Sequence, residues 1–80
     1  RIMLAAIKAP ENQEPRYATA YNEANRNIAA HHRIMLQPDF LKQVMQRPDM
    51  NLADGIHPNQ RGVAQIVENT APYAYKLLSP

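Results

Sequence analysis

The chain begins with an unbroken apolar run. Ile2-Met3-Leu4-Ala5-Ala6-Ile7 carries no polar alternation. A short run of this kind reads as a strand buried on both faces, as in a parallel sheet. It ends near Lys8. Residues 9–15 then read as a loop, because Pro10 and Pro15 forbid a continued ladder or helix. Pro15 and Arg16 open a helix. Tyr17, Tyr21, Ala24 and Ile28 recur at spacings of 4, 3 and 4, with Ala18, Ala20 and Ala29 widening the stripe. Asn22, Glu23, Asn25 and Arg26 lie on the other side. This spacing predicts an amphipathic helix that lays its tyrosine stripe on a sheet and fades around His31-His32. Ile34-Met35-Leu36 is the second strand candidate. Strand, helix and strand in this order predict a right-handed crossover between parallel strands.

Pro38 and Asp39 end the second strand. Residues 40–46 predict about two helical turns, with Asp39 as N-cap and Phe40, Leu41, Val44 and Met45 inward. Residues 47–51 read as a loop that leads to Leu52-Ala53-Asp54. Asn59 is a suitable N-cap for a last helix, whose inner face is marked by Val63, Ile66, Val67, Ala71, Ala74 and Leu78. Pro72 predicts a kink there, or a restart capped by Thr70, because proline removes a helix hydrogen bond and clashes with the preceding turn. A centrally buried first strand needs a neighbour on each side, yet only one other strand candidate is present. The pattern therefore predicts the C-terminal part of a larger α/β domain.

Composition narrows this further. Eighty residues make one domain at most, and a chain of this size buries only about 60% of its unfolded surface. There is no cysteine, so no disulfide adds to a small core. The net charge of +2 and the scattered arginines argue against nucleic acid. No apolar stretch approaches the roughly 20 residues of a membrane span.

The chemistry concentrates in Asp54-Gly-Ile-His57-Pro-Asn59. A carboxylate and an imidazole three residues apart, in a turn entering a helix, suit a general base and the group that orients it. Gly55 relaxes the backbone between them, Pro58 stiffens the exit, and Asn59 ties the turn to the helix. A lone Asp-x-x-His pair is more often a surface or capping feature; the whole run is more specific. Other groupings carry less. His31, His32, His57 and Asp39 match no zinc-ligand spacing, and Asp49 with Asp54 gives no glycosidase signature. The residues imply no metal and no cofactor. Ala9 and Pro10 fall where the first strand ends, the edge at which open α/β sheets bind ligands. They and Ile56 are candidate substrate contacts, beside the plainer readings of a connecting loop and a buried turn anchor.

The Asp54–Asn59 run, followed by Gly62-Val63, resembles the last conserved block of the SGNH hydrolases, the GDSL esterases and lipases. Ile7-Lys8-Ala9-Pro10, Arg16-Tyr17, Tyr21-Asn22, residues 34–36 and Phe40-Leu41 resemble the C-terminal portion of the bacterial acyl-CoA thioesterase, arylesterase and lysophospholipase branch. The resemblance covers essentially all of the chain. It implies the C-terminal part of a three-layer α/β/α, flavodoxin-like domain with parallel strands, incomplete as an isolated domain. It makes Asp54 and His57 two members of a Ser-His-Asp triad acting on small acyl esters or thioesters, and it favours a periplasmic or secreted setting. The family's Gly-Asp-Ser nucleophile motif and its Gly-x-Asn-Asp oxyanion motif do not occur here, and Ser79 is the single serine. Without a nucleophile and oxyanion donors such chemistry drops by orders of magnitude. The expectation is therefore a chain inactive alone, whose partner is the N-terminal segment of the same domain. The competing class is a non-catalytic module that self-associates or binds through an open strand edge.

Overall fold

A computed structural model describes residues 1–10 and 13–80. Its order is strand β1 (Met3–Ala5), helix α1 (Pro15–His32), strand β2 (Met35–Gln37), a single 3-10 turn (Pro48–Met50) and helix α2 (Gln60–Leu78). The two strands are parallel, with Met3 opposite Met35, Leu4 opposite Leu36 and Ala5 opposite Gln37. The strand–helix–strand unit is as the periodicity predicts. The predicted loop between β1 and α1 includes residues 11 and 12, which lie outside the described residues.

Both strands are shorter or shifted relative to their apolar runs. β1 has three residues, not the whole of Ile2–Ile7, and β2 starts one residue later than predicted. Two further bonds extend the ladder: Ala6 N–H donates to the Gln37 carbonyl and Phe40 N–H to the Ala6 carbonyl, each at 2.9 Å. Burial on both faces is not found. Ala6 is buried, but Ile2 is 65% exposed and Ile7 is exposed too. Among the described residues the sheet has two strands, and Ile2 and Ile7 lie outside the paired stretch Met3–Ala5.

α1 starts where predicted. Glu14, just before it, accepts from the Arg16 and Tyr17 amides at 3.2 Å. Arg33, in the left-handed region at φ 54°, ends it by returning its N–H to the last carbonyls. The inward line is rotated by one residue from the prediction. Ala18, Asn22, Asn25 and Ala29 face in, while Tyr17, Tyr21, Ala24 and Ile28 are exposed. Asn22 supplies a reason: its Oδ1 accepts from the Ala9 amide at 3.0 Å, satisfying the backbone that leaves β1. Tyr17 and Tyr21 stack on each other on the outer side, ring centroids 6.2 Å apart.

The helix predicted over 40–46 does not form. Those residues make successive turns, and Gln43 at φ 64° and Gln46 at φ 61° lie in the left-handed region, through which a right-handed helix cannot propagate. Asp39 is not an N-cap; its carbonyl accepts the Lys42 amide in the first turn. Val44 nonetheless reaches the core, 1% exposed.

α2 runs unbroken through Pro72, so neither restart nor Thr70 cap occurs. The Thr70 hydroxyl instead accepts from the buried Gln37 side-chain amide at 3.0 Å. The inner face also differs: Gly62, Ile66, Thr70, Tyr73 and Leu77 turn inward, while Val63, Val67, Ala71 and Leu78 are exposed. Gly62 sets this rotation. A Cβ there would lie 2.1 Å from the Met50 carbonyl oxygen, so only a glycine lets the helix approach that closely. The Cα trace measures 39 × 32 × 13 Å, a slab thin enough to leave the fully buried set at Ala6, Ala9, Ala29, Val44, Gln37 and Gly62 among the described residues.

Candidate active site

The turn between the 3-10 segment and α2 is built almost entirely from polar contacts. Asn51 and Pro58 form an isolated antiparallel bridge across its base. Leu52 N–H donates to the His57 carbonyl at 2.8 Å, and Gly55 N–H to the Leu52 carbonyl at 2.9 Å. Gly55 sits at φ 71° with open space where a side chain would be, so the turn needs its backbone freedom and not its small size. Asn59 closes the exit as predicted. Its Oδ1 accepts from Gly62 N–H at 2.9 Å, and its Nδ2 donates to the Asp49 carbonyl at 2.9 Å and the Asn51 carbonyl at 3.3 Å.

Asp54 and His57 meet inside this frame. Asp54 Oδ1 accepts from the Ile56 and His57 amides at 2.9 and 3.1 Å, the local bonding by which aspartate shapes a turn. Its other oxygen, Oδ2, lies 2.6 Å from His57 Nδ1. The hydrogen bond from His57, then the two amides, hold the Asp54 carboxyl down at about 2. At neutral pH it is therefore a carboxylate, so Nδ1 carries the proton in that bond and Nε2 of a neutral ring keeps its lone pair. The imidazole is 72% exposed and the carboxylate 44%. The arrangement can accept a proton at an open Nε2 and stabilise the resulting imidazolium through Asp54.

The other predicted contacts divide. Ile56 lies within the same turn and is 76% exposed, so it is not a buried anchor. Ala9 is buried and held by Asn22. It lines a cavity of about 350 Å³ with Asp39, Lys42 and Arg47, and His57 is not part of that lining. Pro10 is half-buried beside it. Ser79 cannot serve His57 within one chain. It follows the far end of α2, whose 19 residues span about 28 Å, and its hydroxyl donates to the Tyr75 carbonyl. His31 and His32 pack edge to face at the end of α1, and no group of three metal-type side chains occurs among the described residues. Asp49 stands near Arg61 at 3.9 Å, on the surface. No helix among the described residues is long and apolar enough to cross a membrane.

Sequence reasoning overlooked Asn51, which it placed in a featureless loop. Its Nδ2 donates to the carbonyls of both Val44 and Arg47 at 2.8 Å. An asparagine closing a Pro-Asp-Met-Asn run is a turn signal, but the partners it finds are not legible from sequence.

No family model matches the chain. It is 35% identical over 78 residues to the esterase TesA of Pseudomonas aeruginosa, spanning 98% of this chain and 39% of that protein. It is 29% identical over 77 residues to an arylesterase of Vibrio mimicus, spanning 96% and 38%. Among solved structures it superposes on TesA with a TM-score of 0.86 at 36% identity, covering 95% of this chain and 42% of that one. With AlinE4, an SGNH-hydrolase family esterase, the TM-score is 0.58 at 31% identity, covering 98% and 41%. The chain thus spans about two-fifths of the length of the relatives it matches. In sequence and in its α/β fold with parallel strands, nearly the whole of this chain is similar to the C-terminal portion of the SGNH hydrolases.

Proposed function

We propose that residues 1–80 act as the C-terminal segment of a single SGNH-type domain that hydrolyses carboxylic esters or thioesters, with His57 as general base and Asp54 as its orienting carboxylate. The 2.6 Å contact between Asp54 Oδ2 and His57 Nδ1, with the ring open to solvent, carries this reading. The serine belongs to an N-terminal segment of the same domain. The exposed Ile2, Tyr17, Val63 and Val67, together with the free strand edges, provide apolar surface against which such a segment can pack.

In the reaction, His57 Nε2 takes the serine Oγ proton as Oγ bonds to the acyl carbon. The same proton goes to the alcohol or thiol as its bond to that carbon breaks. Water then attacks the acyl-serine, giving a proton to Nε2, which returns it to Oγ as the acid leaves. Ile56, exposed and next to His57 in the turn, contacts the acyl or leaving group. Ala9 and Pro10 contribute to the pocket only if the second segment bridges them to His57.

Adding the missing family portion in trans and assaying a p-nitrophenyl ester tests the assignment. The chain alone gives no turnover, the mixture does, and His57→Ala abolishes it. Reconstituted hydrolysis that survives His57→Ala sinks the assignment. A mixture that stays inactive while the chain forms stable homo-oligomers favours a non-catalytic module.

A further inference from the structure

We propose that Asn51 is the positioning residue for the Asp54–His57 pair, fixing the entry of their turn to the core as Asn59 fixes its exit. This rests on the reading of Asp54 and His57 as the catalytic pair. The turn has little else to hold it. Leu52 and Ile56, its larger apolar side chains, are both exposed, so hydrophobic burial supplies no anchor. What remains is polar. Asn51 Nδ2 reaches the Val44 and Arg47 carbonyls at 2.8 Å each. Val44 is buried, and the run of turns containing it is joined to the sheet through the bond from Phe40 N–H to the Ala6 carbonyl. On its other side Asn51 bridges Pro58, and its carbonyl accepts from Asn59. A continuous path therefore runs from β1 through Phe40, Val44 and Asn51 to the segment that carries His57. Among the described residues, Asn51 is its one side-chain link into the turn from the 40–47 side. Without that link, the residue before Leu52 keeps its bridge to Pro58 and its bond from Asn59 but loses its tie to the 40–47 run, and the bond that Leu52 makes to the His57 carbonyl weakens.

The contrast with Asn69 isolates this role. Asn69 on α2 also donates to the 40–47 run, at the Lys42 carbonyl (2.8 Å) and the Phe40 carbonyl (3.5 Å), but it makes no bond to the turn. The experiment uses the 80-residue chain with Asn51→Ala, Asn51→Ser and Asn69→Ala. Side-chain carboxyl carbon NMR follows Asp54 with pH, and imidazole nitrogen shifts follow the proton on His57 Nδ1. In the parent chain Asp54 titrates at about 2. The expected result is a midpoint that rises toward the ordinary 3.8 in Asn51→Ala, rises less in Asn51→Ser, which keeps one donor, and stays in place in Asn69→Ala. An unchanged Asp54 midpoint in the folded Asn51 variants overturns the proposal. So does an equal rise in Asn69→Ala, and so does loss of folding in both Asn51 variants, because the amide then holds the fold rather than the turn. Ester hydrolysis does not enter the readout. Failed reconstitution leaves the positioning result standing, and an unmoved Asp54 leaves the catalytic reading standing.

Discussion

Gly62 stands against the carbonyl of Met50, with room for no side chain: a Cβ would lie 2.1 Å from that oxygen and 3.0 Å from the Pro58 ring. The same Met50 oxygen accepts the Asn59 amide at 2.9 Å. One backbone carbonyl thus fixes both the first turn of α2 and the residue that caps it. The rotation of α2, and which of its apolar residues face solvent, follows from this approach.

Gly62→Ala sets two effects against each other. Alanine in a helix gains roughly 1 kcal/mol over glycine. The clash here is with backbone, which cannot swing aside, and overpacking costs about 1–3 kcal/mol or more. The clash wins, and the urea midpoint falls. A variant as stable as the parent shows that the helix start relaxes without cost.

Asp54 makes stability pH-dependent. Its folded pKa is lowered to about 2 from 3.8, so the unfolded chain takes up the proton first as pH falls. Its contribution is complete above pH 3.8 and is lost as pH falls toward 2. In Asp54→Asn that component disappears. Thermal midpoints measured across this range fall less steeply for the variant than for the parent.

Asn59 does two jobs that substitutions separate. Asn59→Asp keeps the oxygen that caps Gly62 N–H but loses both donations to the Asp49 and Asn51 carbonyls. Asn59→Ala loses all three, at about 1 kcal/mol for the cap alone. Amide exchange near Gly62 speeds up in Asn59→Ala and changes less in Asn59→Asp, whereas exchange at Leu52 speeds up in both.

Gln37 is 1% exposed, and among the described residues its Oε1 has no partner and the Thr70 hydroxyl is the group that satisfies its side chain. Thr70→Val strands the buried amide and costs about 1–3 kcal/mol. Adding Gln37→Leu removes the stranded group and recovers most of the loss. Chemical denaturation of the two single variants and the double variant gives the coupling directly; a double variant as unstable as the sum of the singles contradicts it.

Local features were legible where one segment answers to itself. The prolines, the Asn59 cap and the meeting of Asp54 with His57 depend on neighbours a few residues away; the parallel pairing of Met3 with Met35 joins distant residues but follows from the strand–helix–strand order. The predicted helix over 40–46 failed for another reason. Its apolar residues are spaced for a helix, but Gln43 and Gln46 take up left-handed geometry as Val44 enters the core and its carbonyl goes to Asn51. On α1, spacing alone points Tyr17 and Ile28 inward; the Asn22 bond to Ala9 turns the helix by one residue.

By itself, then, the sequence determined the strand–helix–strand unit, the last helix and the turn that joins Asp54 to His57, because hydrophobic period, proline and capping chemistry act over single turns of chain. Only the tertiary structure decided the rotation of the two helices, the irregular run before Pro48, and Asn51 as the link between core and turn. Each of those rests on a hydrogen bond or a backbone approach between segments distant in sequence or between loops without periodicity, and no repeat along the chain encodes such a contact.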